Sequence, residues 1–199
     1  MTRQRLIVML KQPVAGRVKT RLGRDIGATN AAWWYRHQTS RLLRQISDPR
    51  WQVLLAVSPD IALHSRAWPG HFGRMPQGRG DLGQRMKRVL QSAGNGPVII
   101  IGSDIPAIPP ETINAAFRQL GAKDMVFGPA KDGGFWLVGA KSGRQLPKHL
   151  FKQVRWSSAF ALQDSLKTLG TASFGLVQTL QDVDTAADLR HLLHLHSGA

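Results

Sequence analysis

Chemistry in this 199-residue chain has to come from carboxylates, cations and hydroxyls, because it contains no cysteine. Disulfides, thiolate zinc sites and a cysteine nucleophile are thereby excluded. One carboxylate is marked by its position. Asp104 follows Pro97-Val98-Ile99-Ile100-Ile101-Gly102-Ser103, so an unbroken β-branched run ends in a Gly, a Ser, an acid and then Ile105-Pro106. In an open α/β sheet, ligands bind at the carboxyl ends of the strands. An acidic side chain on a turn there can hold a divalent cation over a phosphate. Equally, Asp104 could cap the turn before a helix starting near Pro109.

Three other groups could act with it. Lys11, Arg17, Lys19 and Arg21 crowd a stretch punctuated by Pro13 and Gly16, and such a basic loop suits a diphosphate. Its spacing is neither Gly-x4-Gly-Lys-Ser/Thr nor Gly-x-Gly-x-x-Gly. In Gln77-Gly78-Arg79-Gly80-Asp81-Leu82-Gly83-Gln84-Arg85-Met86, the glycines allow close approach of backbone to a ligand. Asp81 there is placed to cap a helix whose N-terminus suits an anion. Asp132, in Lys131-Asp132-Gly133-Gly134, is a further carboxylate, although Asp-Gly-Gly between apolar strands is a tight-turn signal in its own right. His194 and His196 lack the further ligands of a metal site.

The elements that must position these residues read as alternating strands and helices. Leu6 to Leu10 and Trp51 to Val57 are apolar strand runs, and Val98 to Ile101 reads as a central parallel strand buried on both faces. Thr29 is placed to cap a helix from Ala31 to about Ile46, packed through Trp33, Trp34, Leu42, Leu43 and Ile46. Residues 64–77 read as loop with room for one short strand. A helix follows Asp81, with Leu82, Met86, Val89 and Leu90 on one face. Another starts near Pro109-Pro110-Glu111. Met125 to Phe127 and Phe135 to Gly139 flank the Asp-Gly-Gly turn. A helix over 158–169, an edge strand over 174–180 and a last helix over 186–195 capped by Thr185 complete the chain. No repeat or linker divides it, so one domain over 1–199 is expected.

Lys plus Arg is 27 and Asp plus Glu is 12, giving 27 − 12 = +15. That excess favours a polyanionic partner: nucleic acid, a membrane surface or phosphorylated small molecules. The cations are scattered, which argues against a dedicated nucleic-acid arm. The first apolar run is too short for a signal peptide and none approaches a membrane span, so a cytoplasmic protein with no membrane insertion is expected.

Taken together, the blocks Lys11 to Leu22, Gln77 to Met86, Gly102 to Pro106, Gly128 to Leu137 and Asp182 to Leu189 resemble a bacterial family, DUF2064. Its members are small glycosyltransferase-like proteins of the GT-A, nucleotide-diphospho-sugar transferase kind, including arsenosugar-biosynthesis and radical-SAM/selenodomain-associated transferases. The chain departs from the family pattern at Gln12 and Ala15, where Ala and Pro are usual, and at Phe135, where Tyr is usual. The resemblance implies an α/β, Rossmann-like fold with a mixed, mostly parallel central sheet flanked by helices. It implies that Lys11, Lys19 and Arg21 serve the phosphates, that Gly16 and Ser103 also bind the nucleotide substrate, and that Ser103-Asp104 occupies the position of a metal-binding Asp-x-Asp-like element. Gly80 and Asp81 would lie near the base or ribose, and Asp132 in the acceptor region as a catalytic carboxylate. Asp104 would bind Mg2+ or Mn2+, with Asp132 or Asp184 as a second ligand. The activity implied is metal-dependent transfer of a sugar from a nucleotide-diphospho-sugar to a small acceptor. The alternatives are a nucleotidyltransferase joining an NTP to a phosphorylated small molecule, and a non-catalytic module binding nucleic acid or a protein partner. No nucleic-acid-binding signature supports that last reading.

Overall fold

The structure is a computed structural model that describes residues 3–106, 108–183 and 185–190. Its strands are β1 (Gln4–Lys11), β2 (Trp51–Ser58), β3 (Gly73–Pro76), β4 (Val98–Gly102), β5 (Met125–Pro129), β6 (Phe135–Ala140) and β7 (Phe174–Leu176). They form one sheet in the order β3-β2-β1-β4-β6-β5-β7. Only β6 runs against its neighbours, pairing antiparallel with β4 and β5. The expectation of a parallel environment for β4 therefore holds on its β1 side alone.

The β4 run is apolar without alternation because both of its faces are covered. Ile99 and Ile101 join Leu6, Val8 and Leu10 of β1 in one core layer. Val98 and Ile100 join Ile7 in the other. The first layer is closed by α2 (Ala28–Gln45) and α4 (Pro110–Gln119), the second by α3 (Leu82–Ser92) and α5 (Ala161–Lys167).

Helix starts follow local chemistry. Asp81 Oδ1 accepts from the Gln84 N–H at 2.8 Å, and Gln84 Oε1 accepts from the Asp81 N–H at 3.1 Å, a reciprocal cap that begins α3. Pro110 opens α4 without any side-chain cap, so Asp104 is not its cap.

Several elements differ from the sequence expectation. A short helix, α1 (Thr20–Ile26), grows out of the basic loop. Gly27 at φ +88° begins α2, leaving Thr29 inside the first turn. Trp33 is 64% exposed and leans on His37 with ring centres 4.0 Å apart, while Tyr35 is the aromatic that α2 buries. The helix expected over 158–169 narrows to α5, and the edge strand narrows to β7 plus a single bridge from Ala130 to Leu180. Residues 186–190 are helical, with Thr185 Oγ1 accepting from the Asp188 N–H at 3.3 Å. Asp184, His194, His196 and the end of that helix lie outside the described residues. Among the described residues no helix is long and apolar enough to cross a membrane.

Candidate active site

A cleft of about 620 Å³ opens at the carboxyl ends of β1 and β4. Because β6 is antiparallel, its amino end and the turn before it reach the same edge. The topology thus brings Lys11, the Ser103-Asp104 turn and Asp132 around one opening.

Lys19 is the link across it. Its backbone is left-handed (φ +46°, ψ +49°), which costs a residue with a Cβ about 1 kcal/mol or more. That turn aims a side chain that is only 5% exposed at the neighbouring loop, with Nζ 2.8 Å from Asp104 Oδ1. Nζ also donates to the Val183 carbonyl at 2.7 Å, and the Val183 N–H donates to the Asp104 carbonyl at 3.2 Å. One ammonium thereby joins the basic loop, the turn after β4 and the segment after β7. The Asp104 carboxylate stays 52% exposed to the cleft.

Below it, the buried Tyr35 hydroxyl accepts from the Lys11 N–H at 3.1 Å and meets Ser103 Oγ at 2.9 Å. Burial pushes the Tyr35 phenol above its ordinary value, so it keeps its proton at neutral pH. With the phenol donating, Ser103 retains its own proton for a ligand in the cleft.

Gln77 forms part of the floor. Its Nε2 donates to the carbonyls of Leu10 at 3.0 Å and Ala56 at 2.8 Å, and its Oε1 accepts from Arg85 Nη1 at 3.1 Å. The guanidinium of Arg85, which lines the cleft, is held by an amide only 2% exposed.

The expected site residues divide accordingly. Lys11, Lys19, Arg21, Ser103, Asp104 and Asp132 line the cleft. Gly16 is a turn residue at φ +77°, Gly80 and Asp81 belong to the α3 cap, and none of the three is among the lining residues. A side chain on Gly80 would collide with the Gln84 carboxamide, so this glycine serves the cap. Asp132 Oδ1 accepts from the Gly134 N–H at 2.9 Å; the turn uses one oxygen of a carboxylate that is itself exposed to the cleft.

The sequence profile of the family described as "Uncharacterized protein conserved in bacteria (DUF2064)" matches residues 42–158. The chain belongs to this DUF2064 family. No curated protein matches it. Among solved structures it is similar to a candidate nucleotide-diphospho-sugar transferase from Desulfovibrio desulfuricans G20. The two share 31% identity over 96% of this chain and 87% of the other, with a TM-score of 0.86. It is similar in fold to CMP:2-keto-3-deoxy-manno-octonic acid synthetase complexed with CTP, at 13% identity, 98% and 99% coverage and TM-score 0.62. It is also similar in fold to Rv0371c complexed with manganese from Mycobacterium tuberculosis H37Rv, at 18% identity, 97% and 99% coverage and TM-score 0.56. The fold is that of a nucleotide-sugar transferase.

In this DUF2064 protein, the described residues include no group of three side chains able to hold a metal ion. Asp104 Oδ1 is already engaged by Lys19. The donors fit a hard cation in one form: Asp104 together with the phosphates of a bound nucleotide and water, the usual arrangement for Mg2+.

Tyr35, Gln77 and Arg85 were not assigned site roles from sequence. Tyr35 carries the one available signal, being the chain's only tyrosine. Gln77 and Arg85 fall in the Gln77 to Met86 block, but that Gln77 bonds the distant strand ends at Leu10 and Ala56 and so holds Arg85 has no local signal.

Proposed function

We propose that the cleft transfers a sugar from a nucleotide-diphospho-sugar to a hydroxyl of a small acceptor. The observation that carries this reading is the partition of the cleft edge. Lys11, Lys19 and Arg21 gather where β1 ends, and the Asp132 carboxylate stands across the opening on the β5–β6 turn. The cations would neutralise the departing diphosphate, with Ser103 donating to it and Arg85 held towards it by Gln77. The acceptor oxygen attacks the anomeric carbon as the bond from that carbon to the diphosphate oxygen breaks. The bonding pair leaves on the diphosphate, and the acceptor proton passes to Asp132. Mg2+ or Mn2+ held by Asp104 and the substrate phosphates would add charge neutralisation at the leaving group. The manganese complex of Rv0371c supports such use.

The second reading is nucleotidyl transfer, with an NTP joined to a phosphorylated acceptor. It draws support from the CTP complex of the synthetase that shares the fold. A thermal-shift screen of nucleotide-diphospho-sugars and NTPs, with Mn2+ or with EDTA, separates the two. Ligands that bind only the folded state raise the melting temperature. We expect a metal-enhanced shift with a nucleotide-diphospho-sugar that is lost in Asp104→Ala. A shift with triphosphates alone overturns the sugar-transfer reading in favour of the nucleotidyltransferase.

A further inference from the structure

Backbone strain in this molecule is concentrated beside the cleft. The described non-glycine residues with left-handed backbones are Lys19, Phe151, Gln153 and Ser157, three of them within residues 151–157. For a bulky residue such as Phe151, at φ +65°, that conformation is an outlier that persists only where packing imposes it.

The packing is visible. Phe151 is buried, lies nearly parallel to Phe135 (12° between planes, centres 6.1 Å apart) and edge-on to Trp156 at 5.8 Å. Its N–H donates to Thr168 Oγ1 at 3.0 Å. On the other side, a Cβ at Gly83 would sit 2.6 Å from Phe151 Cβ and 2.7 Å from the Trp156 ring; α3 closes on the segment because residue 83 has no side chain. Arg155 holds the far end, with its guanidinium on both oxygens of Asp164 at 2.7 and 3.0 Å.

What the strained segment produces is a partly exposed aromatic wall. Phe135 and Trp156 line the cleft beside Ser157 and next to Asp132, while the Ser158 hydroxyl is committed to the Arg155 carbonyl at 2.6 Å. The charge on this wall is one-sided. The cations that line the cleft are Lys11, Lys19, Arg21 and Arg85, all from the β1–α1 region and α3. The stretches 130–138 and 156–161 contribute none to the lining. Lys131 is turned to Gln181 Oε1 at 3.0 Å, and Arg155 is committed to Asp164. Among the described residues, a phosphate placed here would find no cation on this wall and would face the Asp132 carboxylate. An uncharged ring would find apolar surface to pack on, with Ser157 and the Asp132 carboxylate beside it to hydrogen-bond its hydroxyls.

We infer that this end of the cleft is the acceptor subsite and that it takes an uncharged, ring-bearing alcohol, packed against the Trp156 and Phe135 rings, in preference to a phosphorylated acceptor. The inference rests on the transferase reading for the word acceptor, while the ring site stands on the geometry above.

The test is saturation-transfer NMR on the full chain with a methyl glycoside, benzyl alcohol and glucose 6-phosphate, with UDP present and absent, alongside the thermal shift produced by nucleotides. The first two probes distinguish a sugar ring from an aromatic one. At least one of them should bind, with affinity falling about two- to tenfold in Trp156→Leu and in Phe135→Leu while the nucleotide shift is retained. Two apolar replacements at separate positions are used so that one folded variant suffices. Stronger binding of the sugar phosphate, or neutral-ring binding insensitive to both variants, overturns the inference, as does the absence of neutral-ring binding. Ring binding without any nucleotide shift would instead count against the transferase reading and leave the ring site standing.

Discussion

Lys19 Nζ and Asp104 Oδ1 are 2.8 Å apart, yet one side chain is 5% exposed and the other 52%. The pair therefore spans the boundary between the protein interior and the ligand's space. Lys19 reaches it from a left-handed backbone, so its side chain and its backbone make separable contributions. Lys19→Ala and Lys19→Gly delete the same ammonium, but glycine accepts the conformation freely. Lys19→Gly should be the more stable of the two by about 1 kcal/mol in urea unfolding, with both losing nucleotide affinity alike. Equal stabilities would mean that the backbone carries no strain.

Tyr35→Phe keeps the ring and removes the hydroxyl that meets the Lys11 N–H and Ser103 Oγ. We expect a loss of about 1–3 kcal/mol and weaker binding of nucleotide diphosphates. The wild-type protein also makes a pH prediction. Its phenol is raised above 10.0 by burial, so the associated stability is intact below pH 10 and declines as pH climbs through the higher folded value. Because Tyr35 is the only tyrosine, tyrosinate absorbance reports it alone. Ionisation at or below the ordinary value would contradict the buried geometry.

Gln77→Leu strands the carbonyls of Leu10 and Ala56, which its amide satisfies, and should destabilise by about 2–3 kcal/mol. Arg85→Ala leaves those contacts in place and should lower nucleotide affinity with little change in melting temperature. Measuring both variants by calorimetry separates the floor from the cation it holds.

Asp132 has a turn role and a proposed catalytic one, and Asp132→Asn divides them. The amide oxygen can still accept from the Gly134 N–H, so stability should stay within about 0.5 kcal/mol. Sugar transfer should fall by about 10²–10⁴ if the carboxylate takes the acceptor proton. Product assays and melting curves on the same samples decide this, and unimpaired transfer would remove Asp132 from the chemistry.

The Arg155 guanidinium beside Asp164 holds its carboxyl down at about 2, from 3.8. A depressed acid stabilises fully above its unfolded value and loses that contribution as pH falls through the folded one. Between about pH 4 and pH 2, the tie between residue 155 and α5 should therefore loosen. Loss of the Phe151–Trp156 ring-current shifts over that range, with Asp164→Asn already reduced at neutral pH and showing no such titration, would report it; unchanged wild-type shifts down to pH 2 would count against the tether.

Much of the fold was legible because its signals are local. The apolar runs of β1 and β4, the Asp81/Gln84 cap of α3, Pro110 at the start of α4 and the Asp132 turn are each decided within a few residues. Hydrogen-bonding and burial preferences act at that range. The ion pair of Asp104 and the exposure of Trp33 depend on placements that no local run shows. A carboxylate on a turn can cap or reach across, and only the side-by-side placement of β1 and β4 brings Lys19 to Asp104. An aromatic pair on a helix can bury either member, and the position of the sheet beneath α2 selects Tyr35 over Trp33. The sequence by itself determined the main strands, the reciprocal cap of α3 and the cationic and acidic residue types that line the cleft. The tertiary structure alone decided which cation meets which carboxylate, which glycines serve packing, and that Phe151, Gln153 and Ser157 accept left-handed backbones. Those outcomes depend on strand order and close packing between distant segments, neither of which any local run of residues encodes.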